Sequence, residues 1–248
     1  MSDNLLFLQK EIKKLAKPQK AKILQRFFKT GKGQYGEGDI FIGLTVPESR
    51  ELARQFALLS RQDIDRLLTS KVHEERLIAI LILVNNFKKS NLEDRRKIFE
   101  HYLDSTRHIN NWDLVDLSAD KIIGQFLIDQ GKTQEINPRQ YSVLLKLARS
   151  KSLWERRIAI VATYQFIKSG NFDSTFIIAE ELLGDKHDLI HKAVGWMLRE
   201  VGKKDEKGLK DFLKKHYQDI PRTTLRYAIE KFPPMVRKQY LSGVFDVS

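Results

Sequence analysis

The sequence contains no cysteine, which excludes disulfide bonds and thiolate zinc sites. A cysteine-free composition fits a reducing compartment, so we expect a cytoplasmic location. The longest apolar run, from Leu77 to Val84, is too short to cross a bilayer. Residues 1–17 form a charged amphipathic segment that does not resemble a signal peptide. These absences predict a globular protein with no membrane partner.

Familiar catalytic and cofactor motifs are also missing. His187 and His191 are spaced like two metal ligands on a helix, but there is no H-E-x-x-H pattern and no third ligand, so a surface pair is expected. Gly31 to Gly36 spell G-x-G-x-x-G, yet a dinucleotide fingerprint must follow a strand and open a helix. Here the string follows a helical segment, which favours a structural loop. No Ser-His-Asp or nucleophile-elbow pattern is present.

The formal net charge of +12 is concentrated at the two ends of the chain. Residues 1–38 contain nine Lys/Arg and three Asp/Glu, residues 186–248 contain fourteen and eight, and the residues between them are balanced. A basic excess of this size favours a polyanionic partner, nucleic acid before membrane. On charge alone, a solubilising basic surface is the alternative.

Almost every segment has the period of an amphipathic helix, and no strand pattern competes with it. Residues 72–80 match residues 152–160, and Ala79, Ala119 and Ala159 recur every 40 residues. Each such unit is preceded by a further amphipathic segment, at residues 61–70, 92–105, 138–149, 172–184 and 205–217. Paired helices at this period predict an all-α, HEAT-like (armadillo-type) helical-repeat solenoid. We expect one domain over residues 1–248, with N-terminal helices and the glycine loop in 1–46 and the repeats in 47–242.

The second helices of three units contain a basic residue at nearly the same place, Arg157, Lys192 and Arg226, and Arg76 lies one position away in another unit. In a solenoid such helices line the concave face, so these residues predict a basic groove for a duplex backbone. For any single residue, an ion pair with an acidic neighbour is the competing interpretation. We expect the glycine loop to form one wall of the groove.

The segment from Ile109 to Asp120 combines a tryptophan with three carboxylates at the predicted start of a second helix. Trp112 and Asp116 are four residues apart, so they share one helix face. An acid here occupies the position where neighbouring units have bases. We therefore single out Asp116 as the functional carboxylate and expect Asp113 and Asp120 to be structural. A helix-start acid favoured by the helix dipole is the alternative for Asp116.

Four segments together resemble the AlkD-like family of DNA alkylation repair enzymes, in the same order along nearly the whole chain: residues 27–39, 111–116, 153–159 and 192–200. The resemblance implies a HEAT-like fold and a monofunctional DNA glycosylase acting on alkylated bases in double-stranded DNA. The expected substrates are cationic purines, N3-methyladenine and N7-methylguanine. The family acts without extruding the base into a pocket, and the resemblance implies no metal or other cofactor. We expect a monomer.

The same resemblance implies roles for individual residues. The catalytic aspartate corresponds to Asp116, and the two cleft tryptophans correspond to Trp112 and Trp196. The cleft arginine corresponds to Arg157, or to Arg156 one position away. Further expected DNA contacts are Arg199, Lys192, Arg226 and Phe27. Phe27 stands where some members have a tyrosine, so a hydroxyl is lost.

Two other functions remain open from the sequence. One is a non-catalytic HEAT-repeat protein that binds DNA structure, which would show salt-dependent binding without base release. The other is a protein-binding helical scaffold, a common use of repeat folds. The basic ends argue against the scaffold, and the complete set of motif residues argues against the non-catalytic binder.

Overall fold

The computed structural model describes residues 2–130 and 138–244, and the chain forms two compact units, Met1–Ser118 and Ala119–Ser248. The helices of the first unit are α1 (Asp3–Lys14), α2 (Pro18–Phe27), α3 (Val46–Gln55), α4 (Arg61–Leu68), α5 (His73–Lys89), α6 (Leu92–Asp104) and α7 (Trp112–Asp116). The helices of the second are α8 (Gln125–Gln130), α9 (Pro138–Ala148), α10 (Leu153–Ala162), α11 (Tyr164–Lys168), α12 (Asp173–Leu182), α13 (Asp188–Gly202), α14 (Glu206–Lys215), α15 (Arg222–Ala228) and α16 (Pro234–Ser242).

The predicted all-α fold class is confirmed. Over the described ranges, the departures from α-helix and loop are a 3-10 turn at Thr106–His108, a π-helical turn at Asp120–Gly124 and one isolated β-bridge between Ile40 and Val72. None of the helices in those ranges is long and apolar enough to cross a membrane. Single-domain organisation over the whole chain stays a prediction.

Helix starts follow the capping residues in the sequence. The Thr45 hydroxyl accepts a hydrogen bond from the Glu48 backbone N–H, and the Glu48 side chain accepts from the Thr45 N–H in return. This reciprocal capping box satisfies two backbone donors that the first turn leaves unpaired. Ser60 and Ser152 cap α4 and α10, because their hydroxyls accept hydrogen bonds from the Asp63 and Glu155 backbone N–H groups.

Helix α5 forms the centre of the first unit. Its apolar run from Leu77 to Val84 is buried on every side, and α3 and α4 both pack against it. A helix that is apolar all round belongs in a core, because burial of its side chains removes a large apolar area from water.

In the second unit, helices pack on others that are close to them in the sequence, both on the next helix and on helices two or three further along. Helix α9 packs on α10, α10 on α13, and α13 on both α14 and α15. The alanines that repeat through the sequence are fully or almost fully buried: Ala79 in the first unit, and Ala119, Ala159, Ala193 and Ala228 in the second. A small side chain takes little room in a packed core, which agrees with the recurrence of alanine at these buried positions.

Helix α7 begins at Trp112, as predicted, but ends after five residues. The Ser118 hydroxyl donates to the Leu114 carbonyl oxygen at 2.6 Å, and the Ser118 N–H donates to Val115 O at 3.1 Å. A serine that bonds its own helix competes with the regular i to i−4 pattern. The result is a short helix that presents Trp112 and Asp116 at its two ends.

Candidate active site

Trp112 and Asp116 lie on one face of α7, and both border the same pocket of the first unit. Asn111 caps the helix: its side-chain oxygen accepts a hydrogen bond from the Trp112 N–H at 2.8 Å. Trp112 and Asp116 are half-buried. The pocket beside them has a volume of about 480 Å³ and is lined mainly by apolar side chains, including Leu24, Phe28, Phe41, Leu44, Val46 and Leu77. The sequence did not predict such a pocket, because its wall comes from four separate helices and a loop.

The orientation of Trp112 is fixed by aromatic contacts. Its ring stacks on Phe28 with 5.0 Å between centroids and an 11° interplanar angle. Phe28 in turn stacks on Phe41 at 4.7 Å. Phe27 approaches Trp112 edge-on at 5.9 Å and is 61% exposed, so it forms the rim of the pocket. Stacked and edge-on pairs of this kind add to the stability gained from burial alone.

A buried polar network lies directly behind α7. His73, the first residue of α5, is placed between two carboxylates: its Nδ1 is 3.2 Å from Asp39 Oδ2, and its Nε2 is 2.8 Å from Asp113 Oδ2. Asp39 also accepts hydrogen bonds from Arg76 Nη2 at 2.6 Å and from Asn111 Nδ2 at 3.2 Å. The network therefore ties the glycine loop, α5 and the start of α7 to one another.

Neighbouring charges and hydrogen bonds determine the protonation states of His73 and Asp39 in this network. Burial alone would lower the pKa of His73, but the negative charge of Asp113 and hydrogen bonds to Asp113 and Asp39 raise it above its ordinary value. Burial would raise the pKa of Asp39, but the His73 hydrogen bond and the Arg76 charge lower it instead. Because carboxylates only accept hydrogen bonds, an imidazolium that donates from both nitrogens fits the site best.

Glu74, beside His73, holds a second loop. Its buried carboxylate accepts hydrogen bonds from the backbone N–H groups of Ile42, Gly43 and Leu44, at 3.1, 2.8 and 3.2 Å. Gly43 has φ of +96°, and a Cβ there would lie 2.3 Å from the Lys17 carbonyl oxygen. The segment after the glycine loop is thus fixed against α5, where it forms part of the pocket wall.

The glycine-rich loop has a structural role in the first unit. Gly33 and Gly38 have φ of +75° and +87°, and the loop ends in the buried Asp39. A Cβ on Gly36 would lie 2.5 Å from the Phe28 carbonyl oxygen. The loop follows α2 and leads to α3 without an intervening strand-turn-helix, which agrees with rejection of the dinucleotide interpretation. The backbone of the glycine-rich loop passes close to Phe28, and this path places Asp39 within hydrogen-bonding distance of His73.

Trp196, the second predicted cleft tryptophan, lies in α13 of the second unit. It is half-buried, with its ring 6.4 Å from that of Tyr164. Gly195 precedes it at the contact between α13 and α15, where a Cβ would lie 2.6 Å from the Thr224 carbonyl oxygen and 2.5 Å from Tyr227 Cβ. The glycine in the Gly195-Trp196 pair is therefore required by helix packing.

The predicted DNA-binding cations of the second unit have varied surroundings. Arg157 is only 5% exposed, and its Nη1 donates to the Leu189 carbonyl oxygen in the first turn of α13. Arg156 pairs with Asp185 at 2.5 Å. Arg199 pairs with Glu200 and Glu230, and Lys192 pairs with Asp188 at 2.8 Å. Arg226 is exposed. Local ion pairing, the competing interpretation for individual cations, thus applies to several of them.

The structure brings three of the predicted site residues together: Phe27, Trp112 and Asp116 border one pocket. Asp113 and Asp120 have the structural contacts expected of them, since Asp113 binds His73 and the Leu114 N–H while Asp120 pairs with Lys121. Sequence reasoning missed Asp39, His73 and Glu74. The signal available for the last two was a run of four ionisable residues, His73 to Arg76, directly before the apolar run from Leu77 to Val84.

No metal centre is found among the described residues, because no group of three or more His, Asp or Glu side chains there could hold an ion. His187 instead caps α13, with its Nδ1 accepting a hydrogen bond from the Leu189 N–H at 3.1 Å. His191 Nε2 lies 2.5 Å from the Asp185 carbonyl oxygen. Both imidazoles therefore have local structural partners.

The fold and the site define an all-α helical-repeat protein with a carboxylate and aromatic rings beside an apolar pocket. The model of the family described as DNA alkylation repair enzyme matches residues 8–232, so the chain belongs to that family. A solved structure described as a predicted DNA alkylation repair enzyme from Enterococcus faecalis is similar, with a TM-score of 0.67 and 16% identity over 88% of this chain and 97% of that chain. At that identity the likeness concerns the fold alone. No curated protein matches the chain significantly.

Proposed function

We propose that the protein is a monofunctional DNA glycosylase that starts base excision repair. It hydrolyses the N-glycosidic bond of cationic alkylated purines, N3-methyladenine and N7-methylguanine, in double-stranded DNA. The observation that supports this most strongly is the position of Asp116 and Trp112 on one wall of one pocket, in a member of the DNA alkylation repair family.

The chemistry requires stabilisation of positive charge on the sugar. Alkylation of a ring nitrogen makes the purine a cationic leaving group, and the deoxyribose develops oxocarbenium character as the bond breaks. The Asp116 carboxylate stabilises that charge and orients or deprotonates the attacking water. Apolar neighbours strengthen this electrostatic effect because they lower the local dielectric constant. The π face of Trp112 favours a nearby cation as well.

The second unit contributes the remaining contacts in this proposal. Trp196 packs against the deoxyribose, and Lys192 and Arg226 bind phosphates. Arg156 and Arg199 exchange their carboxylate partners for phosphates when DNA binds. Arg157 acts through structure: its hydrogen bond to Leu189 orients the helix that contains Trp196. Phe27, at the pocket rim, contacts the DNA through its ring alone.

The proposal is tested by base release from duplex DNA that contains a single N7-methylguanine. Wild-type protein should release the base faster than spontaneous depurination. Asp116→Asn should lower the single-turnover rate by about 10²–10⁴-fold, because it removes the charge but keeps the size. Asp104→Asn is the matched control, since Asp104 is an exposed carboxylate at the end of α6.

Two outcomes would contradict the proposal. Wild-type protein that binds the duplex without releasing base would indicate the non-catalytic DNA-binding alternative. An Asp116→Asn variant as active as Asp104→Asn would remove Asp116 from the mechanism. Circular dichroism of each variant verifies that the helical fold is retained.

A further inference from the structure

Lys20 carries an unbalanced positive charge on the wall of the pocket that Asp116 borders. Among the described residues, the basic side chains that line this pocket are Lys20 and His73. His73 is buried between Asp39 and Asp113, which balance its charge. Lys20 is half-buried, and in the part of the chain that the structure describes its side chain has no hydrogen-bond or ion-pair partner. Its charge is therefore free to pair with an anion that enters the pocket.

The position of Lys20 on helix α2 explains why it lines the pocket. Lys20, Leu24 and Phe27 lie at helical spacing, and all three border the pocket. A lysine can lay its methylene stem along apolar surface, but its ammonium needs a polar or charged partner. Helix α2 contains no Asp or Glu that could supply this partner, whereas Lys17, just before the helix, pairs with Glu48.

The charges at this pocket match those of the proposed substrate. Each deoxyribose of a DNA strand has a phosphate on its 5′ and its 3′ side, and in the proposed reaction positive charge develops on the sugar between them. Asp116 supplies a negative charge for the sugar, but the same carboxylate repels both phosphates. Lys20, on another helix of the same pocket, offsets that repulsion because its ammonium attracts a phosphate.

We propose that Lys20 is a positioning residue that binds one of the two phosphates of the nucleotide whose base is released. The inference rests on the proposed glycosylase function. The ammonium donates hydrogen bonds to phosphate oxygens and so holds the deoxyribose beside Asp116. The phosphate keeps its charge throughout the reaction, so Lys20 stabilises the bound substrate and the transition state alike. It therefore raises affinity without changing the rate of bond breaking.

The test measures the coupling between Lys20 and individual phosphates. Each duplex contains one N7-methylguanine on a 2′-fluoro sugar, because the fluorine withdraws electrons and prevents base release during the titration. A neutral methylphosphonate replaces the 5′ phosphate of this nucleotide, its 3′ phosphate, or a phosphate remote from it. Fluorescence anisotropy gives the Kd of each duplex for wild-type protein, Lys20→Gln and Lys22→Gln. Lys22 is the matched control, because it lies on the same helix but is exposed and does not line the pocket.

We expect a methylphosphonate at one of the two flanking positions to weaken wild-type binding by about fivefold to tenfold at about 0.1 M salt, since one phosphate contact contributes about 0.9 to the salt slope. Lys20→Gln should weaken binding to the unsubstituted duplex by a similar factor and should then be insensitive to that methylphosphonate. Lys22→Gln should keep the wild-type sensitivity. Lys20→Arg retains the charge and should recover most of the affinity.

A second measurement separates binding from chemistry. Base release is followed on the duplex with an ordinary sugar, in single turnover at saturating protein. The rate for Lys20→Gln should equal that of wild-type protein within about threefold, since loss of uniform binding leaves the chemical step unchanged. Thermal unfolding identifies a variant that fails to fold, and Lys20→Met then replaces Lys20→Gln as the uncharged variant.

Two results would overturn the inference and leave the proposed function intact. Neither flanking methylphosphonate could weaken wild-type binding more than the remote one does. Alternatively, the uncharged Lys20 variant could respond to the flanking methylphosphonate as strongly as wild-type protein. The proposed function fails separately, if wild-type protein releases no base from the duplex with an ordinary sugar, and the inference about Lys20 then fails with it.

Discussion

The imidazole of His73 connects helix α5 to the helix that contains Asp116, because its Nε2 lies 2.8 Å from the Oδ2 atom of Asp113. Asp113 precedes Asp116 by three residues, and its other carboxylate oxygen accepts from the Leu114 N–H at 2.8 Å. A buried ion pair with additional hydrogen bonds fixes geometry more than it adds stability. The position of the candidate catalytic carboxylate thus depends on a residue far from it in the sequence.

The ion pair between His73 and Asp113 should make the stability of the folded protein depend on pH. The folded-state pKa of His73 is raised above 6.5, so the stabilisation from its charged form is fully present below pH 6.5 and is lost as pH rises through the raised pKa. We expect His73→Gln to lower the free energy of unfolding by about 1–3 kcal/mol at pH 6 and by less at pH 9. Urea unfolding of both proteins at several pH values measures this difference.

The control for that experiment is His187→Gln. Burial lowers the pKa of His187, so its neutral form is favoured in the folded protein, and wild-type stability relative to this variant should increase with pH. Opposite slopes for the two histidines are the expected outcome. A His73→Gln difference that stays constant or grows from pH 6 to pH 9 would contradict an imidazolium between Asp39 and Asp113.

Gly36 offers a test of the glycine loop. An alanine Cβ there would lie 2.5 Å from the Phe28 carbonyl oxygen, and Phe28 stacks on Trp112. We expect Gly36→Ala to destabilise the protein by about 1–3 kcal/mol, since overpacking forces the backbone to move. Gly184→Ala is the control, because a Cβ at Gly184 meets no atom within 4 Å, and it should change stability by less than about 0.5 kcal/mol. Equal stabilities of the two variants would show that the close approach is not maintained in solution.

Much of the fold could be predicted because helical period and small recurring residues are local signals. The segments predicted at 61–70 and 92–105 correspond to α4 and α6, and the repeated alanines are buried as the repeat requires. Helix α2 illustrates the limit of that reasoning. Ile23 and Phe27 lie at helical spacing, yet both are exposed, because the other helices leave that side of α2 uncovered.

The candidate site could be predicted only in part. Trp112 and Asp116 are four residues apart, so their shared face follows from helix geometry. The pocket and the network behind it depend on pairings over long sequence separations, such as Asp39 with Asn111 and Glu74 with Gly43. Such pairings have no sequence period. The burial of Arg157 was missed for the same reason, because its partner, Leu189, belongs to another helix.

Gly195 tests the packing that supports Trp196. A Cβ at this position would lie 2.5 Å from Tyr227 Cβ and 2.6 Å from the Thr224 carbonyl oxygen, so α13 and α15 would have to separate. We expect Gly195→Ala to cost about 1–3 kcal/mol of unfolding free energy in urea. Gly184→Ala again provides the comparison. If the Gly195→Ala variant were as stable as the wild-type protein, the two helices would be less closely packed than the structure indicates.

Arg226 is the exposed member of the predicted set of phosphate-binding cations. If its guanidinium neutralises one phosphate of duplex DNA, Arg226→Ala should reduce the slope of log affinity against log salt concentration by about 0.9. Lys207→Ala is the matched control: it removes the same charge from an exposed lysine that pairs with Asp211 on α14. Fluorescence anisotropy titrations between about 50 and 200 mM salt measure both slopes, because the affinity of a protein that contacts phosphates falls steeply over that range. A loss of slope that is equal in the two variants would indicate a general effect of net charge and would remove Arg226 from the DNA contacts.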